Sequence, residues 1–202
     1  MKGLMKKEFL MLWRASRAFL LICVLFIAMS AISQDNIIFL FMPIMISGLL
    51  PSTLLSYDER CKWQEFRGAL PVSRAQLVSA KYLLGLGCMT VVLVVTVVVH
   101  LIVRRYPTEM LLTMLGAIYG LSLFISAVSL PMMFKFGVEK GRLWYYATLV
   151  LVGGASGASA GVTTDLFSEG LPSFLWLIPV LGVVIFALSW LLAIRFYQKR
   201  EF

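Results

Sequence analysis

Six apolar runs organise the chain, each closed off by charged residues: 18–34, 36–57, 82–103, 110–134, 143–164 and 170–194. They are between 17 and 25 residues long. About 20 residues cross the hydrocarbon core of a bilayer, so the pattern predicts six transmembrane helices, the first one short. A helix is the expected element because it satisfies its own backbone, as lipid requires. The second run contains Pro43, Gly48 and Pro51. Proline removes a backbone donor, so this span is expected to kink.

The longest polar stretch, residues 57–81, separates the second run from the third. Within it Trp63, Phe66 and Leu70 recur at i, i+3 and i+7 and share one face of a short helix. Asp58 and Lys62 form an acid-first i, i+4 pair on the other side. Gly68 and Pro71 end that helix. Ser73-Arg74-Ala75-Gln76 then reads as a capping box, in which the serine hydroxyl and the glutamine side chain each satisfy the other's backbone N–H. A second helix is therefore expected to start near Arg74 and run past Lys81 into the third apolar run. On spacing alone, the first piece is equally an interfacial helix resting on lipid headgroups.

The opening seventeen residues are amphipathic. Lys2, Lys6, Lys7, Arg14 and Arg17 fall within an arc of about 140° at helical spacing, with Leu4, Met5, Phe9, Met11 and Leu12 opposite. Glu8 interrupts the apolar side, and Leu10 and Trp13 intrude on the basic one. The alternative is a charged flank that only anchors topology. Further along, Gly116 and Gly120 lie four apart in the fourth run. In the fifth, residues 153–161 carry nothing larger than serine, and Gly153, Gly157 and Gly161 stack at i, i+4 and i+8. Such a face lets helix backbones approach closely, within the chain or across a dimer. The rival reading is an outer end that unwinds and shapes the mouth of a path.

Composition agrees with this pattern. The chain is 60% hydrophobic and 14% charged, with a mean hydropathy of +0.91. A soluble globule carries about a quarter charged residues, so that class is excluded. With the N-terminus placed in the cytoplasm, sixteen Lys and Arg residues fall inside, and Arg104 and Arg105 remain outside. That asymmetry sets the orientation, with both termini cytoplasmic. The net charge of +8 is thus a topology signal rather than a nucleic-acid site. No secretory signal peptide and no soluble domain are expected, leaving one transmembrane domain over residues 1–202.

The chemistry that is missing narrows the function. No G-x-x-x-x-G-K-[ST] is present, so no nucleotide is held by a P-loop in this chain. Cys23, Cys61 and Cys88 lie in or beside three different spans at no metal spacing, and reduced thiols are expected. No metal and no cofactor are expected here. Few charges fall within the runs, which argues against an ion-driven carrier. His100 lies near the outer end of its span with no acidic neighbour, and is expected to be interfacial.

The strings Tyr57-Asp58-Glu59-Arg60, Lys62-Trp63, Leu70-Pro71-Val72-Ser73-Arg74 and Lys81-Tyr82 resemble the cytoplasmic loop of ABC-2 type permeases. These are the membrane subunits of ABC exporters whose ATPase is a separate chain. The likeness is greatest to the small permeases of bacterial peptide-toxin exporters, the phenol-soluble-modulin type. The resemblance implies an all-α polytopic membrane protein with six spans, an elbow helix over 1–17, and a cytoplasmic coupling helix over 58–71 seated in an ATPase cleft. It makes Asp58, Glu59, Lys62, Trp63, Glu65, Phe66, Arg67, Leu70, Pro71 and Arg74 candidates for that contact, with Glu139 in a smaller one. ATP and Mg are expected on the partner ATPase, a homodimer or a sister permease beside this chain, and the bacterial cytoplasmic membrane around it. The chain is then not itself an enzyme. It is expected to serve export of a hydrophobic or amphipathic substrate, of peptide class by resemblance, with a lipid-like drug or lipid as the rival. The alternative outside this class is a secondary carrier or an immunity or assembly factor.

Overall fold

A computed structural model of the chain describes residues 2–15, 17–32, 37–61, 73–103, 107–158 and 176–199. Among these residues the fold is all helical, without strands. In chain order the helices are α1 (Lys2–Ala15), α2 (Arg17–Ile32), α3 (Ile37–Gly48), α4 (Leu50–Arg60), α5 (Arg74–Val103), α6 (Thr108–Phe136), α7 (Val138–Ala158) and α8 (Leu177–Lys199).

Three of them, α5, α6 and α8, are long and apolar enough to cross a membrane on their own. Gly3–Arg14 and Arg17–Ile32 pass together as a pair bent by 66°, which brings the total among the described residues to four at most. The other apolar runs form shorter described helices. α7 ends at Ala158, and the second run is divided into α3 and α4. The sequence explains that division. Pro51 stands in the first turn of α4 and has no N–H to continue the ladder from α3. The chain tightens instead, with the Leu49 N–H donating to the Ile46 carbonyl at 3.0 Å.

Polarity is turned inside out, as lipid requires. Val91, Val94, Val95 and Val98 on α5 and Val180, Val183, Val184 and Leu188 on α8 face outward. Ser47, Ser122, Ser126, Ser129 and Ser189 are buried. Two of these hydroxyls act between helices: Ser122 donates to the Ile44 carbonyl and Ser126 to that of Gly48, at 3.2 and 3.4 Å. Both acceptors lie in α3 just before the break, where neighbouring serines are the usual remedy for a disrupted ladder.

The core centres on Tyr82, which is fully buried. Its ring stacks on Trp190 at 5.8 Å and packs against Phe186 at 5.1 Å. Its hydroxyl lies 2.9 Å from Ser189 Oγ, which donates onward to the Ala127 carbonyl at 2.6 Å. This chain of bonds ties α5, α6 and α8 together. α6 and α8 form the most extensive helix pair of the described fold, and they meet backbone to backbone. A Cβ built on Gly120 would lie 2.7 Å from the Ile178 carbonyl oxygen, and one on Gly182 would lie 2.7 Å from that of Gly120. Close approach through glycine is thus realised at Gly120 and Gly182, whereas Gly116 meets only Pro179, at 3.8 Å. Gly153 and Gly157 fall within α7, and Gly161 lies outside the described residues.

Candidate functional site

At one end of the bundle α1, α4 and α5 converge on four charges. Lys81 Nζ lies 2.6 Å from Glu8 Oε2 and 2.5 Å from Asp58 Oδ2. Lys7 Nζ lies 3.1 Å from Glu8 Oε1 and 2.6 Å from Asp58 Oδ1. Each carboxylate gives one oxygen to each ammonium, so the four groups close a ring of alternating sign. The side chains of Glu8 and Lys81 are 1% exposed and that of Asp58 4%, while Lys7 keeps 23%. Two cations against two anions leave the ring formally neutral. Neutrality and good geometry are what let buried charges offset their desolvation.

Helical spacing puts the ring where it is. Glu8 precedes Leu12 by four residues, Asp58 follows Leu54 by four, and Lys81 precedes Leu84 by three. Leu12, Leu54 and Leu84, together with Leu50, form a small buried apolar cluster of their own. Each helix therefore turns the same face inward twice, once with a charge and once with a leucine. The leucines hold the three helices together, and the charges fix their register.

Contacts beside the ring reach the remaining elements. Both Glu59 carboxylate oxygens accept from the Val138 N–H, at 3.2 and 3.3 Å. A carboxylate is favoured there, at the N-terminus of α7. Val138 follows a turn at Gly137, whose φ of 90° suits glycine. Gly141 is pressed on Met133 of α6 so closely that a Cβ would come within 2.7 Å of its backbone. The capping box is formed as the sequence reads: the Gln76 N–H donates to Ser73 Oγ at 3.2 Å, and the Ser73 N–H to Gln76 Oε1 at 3.3 Å. Arg74 Nη1 donates to the Gln198 carbonyl at 2.8 Å, near the end of α8.

Of the residues singled out from the sequence, Asp58, Glu59 and Arg74 are thus gathered at this end. Glu139 is exposed one residue beyond the Glu59-held N–H. Lys62, Trp63, Glu65, Phe66, Arg67, Leu70 and Pro71 lie outside the described residues. One expectation needs correcting. Asp58 is not on a water-facing side of a helix beginning there. It belongs to the last full turn of α4 and is buried between Lys7 and Lys81, because it shares the inward face with Leu54. Lys7 is likewise turned into the ring rather than left on a basic outer face.

Sequence reading missed Glu8 and Lys81 as partners. A signal existed: Glu8 stands on the apolar side of its helix, and Lys81 is a lone charge of opposite sign at the edge of an apolar run. His100 lies three residues before the end of α5. It is 2% exposed, and its Nδ1 lies 2.8 Å from the Thr96 carbonyl of its own helix. Among the described residues no three His, Cys, Asp or Glu side chains are grouped to hold a metal ion.

The model of the ABC-2 family transporter proteins matches this chain over residues 3–198. No curated protein and no solved structure gives a significant match.

Proposed function

The chain belongs to the ABC-2 family of transporter proteins, and from that membership we propose that it is the permease of an ATP-driven exporter, coupled to its ATPase through residues 58–71. Membership makes the chain a membrane transport component rather than a catalyst, and it implies a partner ABC ATPase. The finer reading is ours. Six spans carry the chain across the bacterial cytoplasmic membrane, with both termini inside. Residues 1–17 are the elbow. The expected helix with Trp63, Phe66 and Leu70 on one face docks in the ATPase, with Glu65 and Arg67 at its rim and Glu139 in a smaller contact. The cargo is hydrophobic or amphipathic, and peptide is its class, as in peptide-toxin exporters. A second copy or a sister permease completes the path.

The observation that carries this reading is the family match. The charge ring supports how coupling would work. Residues 62–72 leave α4 just after Asp58 and Glu59 and return at Ser73, ahead of Arg74 and Lys81. A push on that loop is therefore delivered to residues bonded to α1, α7 and α8. Buried ion pairs fix register better than they add stability, a property suited to transmitting motion.

The test is recovery of the ATPase with tagged permease in mild detergent, alongside ATP-dependent export. Aromatic anchors commonly carry about 2 kcal/mol or more of an interface. Phe66→Ala should lower recovery, export or both, and more than Lys62→Ala does. Equal recovery and equal export for Phe66→Ala and wild type would remove the coupling assignment.

A further inference from the structure

A second feature at the same end of the bundle is independent of ATPase docking. A pocket of about 190 Å³ opens between α2, α4, α6 and α7, walled by Phe19, Tyr145 and Tyr146 and containing Ser52, Thr53 and Arg142. Two of its polar groups are already engaged. The Thr53 hydroxyl donates to the Leu49 carbonyl at 3.0 Å, and the Tyr145 hydroxyl to that of Met45 at 3.3 Å. Two are not. Ser52 is 2% exposed and its Oγ has no hydrogen-bond partner among the described residues. Arg142 is half-buried and makes no ion pair or hydrogen bond among them.

A partly desolvated guanidinium without a carboxylate is costly unless an anion answers it. Its planar fork matches a phosphate, and basic pockets between membrane helices are the usual seats of anionic headgroups. Size and level agree. The volume falls below the roughly 300–1,000 Å³ of pockets that enclose a whole small molecule, so a headgroup fits better than a complete ligand. Arg142 lies one turn beyond Val138, whose N–H is held by Glu59 next to the charge ring, so the pocket sits at the height of the bundle's polar end. Tyrosines in its wall suit the headgroup region.

We propose that this pocket binds the phosphate of an anionic membrane phospholipid, with Arg142 paired to the phosphate and the Ser52 hydroxyl as a second donor to the headgroup. The site fixes the start of α7 against α4 when the lipid is bound.

Native mass spectrometry of the full-length protein in detergent tests this, with phosphatidylglycerol and phosphatidylcholine of the same chains as probes. Wild type should retain one phosphatidylglycerol per chain at about tenfold lower lipid concentration than phosphatidylcholine. Arg142→Gln should erase that preference, Ser52→Ala should weaken it several-fold, and Arg142→Lys should restore part of it. Lys140→Gln, an exposed charge two residues away, should keep it. An unchanged preference in Arg142→Gln overturns the site, as does an equal loss in Lys140→Gln, which would mean diffuse surface charge. Should Arg142→Gln fail to fold, an unchanged preference in both Arg142→Lys and Ser52→Ala overturns it instead. Inorganic phosphate added as competitor should leave the lipid bound; displacement at matched concentration would show that free phosphate, not a lipid, is the ligand.

Discussion

Lys81 and Glu8 are 73 positions apart in the sequence, and their charged atoms are 2.6 Å apart in space, each side chain 1% exposed. Neither has water to fall back on. Removing either leaves the other's charge buried and short of a partner. The structure therefore ties the N-terminal helix to the start of a spanning helix through a contact that tolerates no one-sided change.

Lys81→Met should expose that dependence. Asp58 and Glu8 would then face Lys7 alone, with one unbalanced negative charge. Breaking a buried pair on one side costs about 3–5 kcal/mol. Thermal unfolding in a single detergent should show a large drop for Lys81→Met and almost none for Lys6→Met, an exposed lysine on the same N-terminal helix as Glu8. Matching melting points for the two variants would mean that the ring contributes no more than surface charge.

The glycines of α6 make a prediction whose sign differs between neighbours. Alanine is favoured over glycine within a helix by up to about 1 kcal/mol. At Gly116 the added methyl meets only ordinary contact, so Gly116→Ala should be neutral or stabilising. At Gly120 it meets the backbone of Ile178 and Pro179, at 2.7 to 2.8 Å. Overpacking of this kind costs roughly 1–3 kcal/mol. The same unfolding measurement should rank Gly120→Ala below wild type and Gly116→Ala at or above it. The reverse order would deny the close approach.

Orientation is open to direct labelling. Cysteines introduced at Asp35, Thr108 and Ser168 should react with an impermeant thiol reagent in sealed cells. Those at Arg67 and Lys140 should react only after permeabilisation. Outside labelling of Arg67→Cys would invert the assignment and take the ATPase contact with it.

Gly157 of α7 tests whether the glycine stripe is an interface with another chain. Gly157→Leu keeps the segment apolar, so insertion should be normal. Assembly or export should fall if Gly153, Gly157 and Gly161 meet a second permease. Normal assembly and normal export would assign that face to lipid.

What could be read from the sequence was local. The Ser73–Gln76 box spans four residues and appears as written, because both partners are delivered by one turn of helix. The interruption at Pro51 is equally local, set by a missing N–H. The long helices α5, α6 and α8 follow from apolar length alone. The charge ring was hidden because its partners come from three helices, and Glu8 looked like a flaw in an amphipathic pattern. Gly120 was noticed for its spacing to Gly116, yet the residue that matters to it is Gly182, from a helix with no glycine stripe to advertise it. Asp58 was misplaced because a charge beside a polar loop reads as solvent-facing, and only the leucine four residues earlier says otherwise.

The contact at Gly120 and Gly182 has a mechanical consequence. Helices that touch through side chains can slide, since rotamers yield to one another. Here main chain rests on main chain, and nothing compressible lies between. Such a pair can tilt or turn only as a single strut. Any rearrangement that opens a route across the membrane must then leave this strut whole and hinge around it, at joints such as the divided α3–α4 segment and the glycine turn before α7.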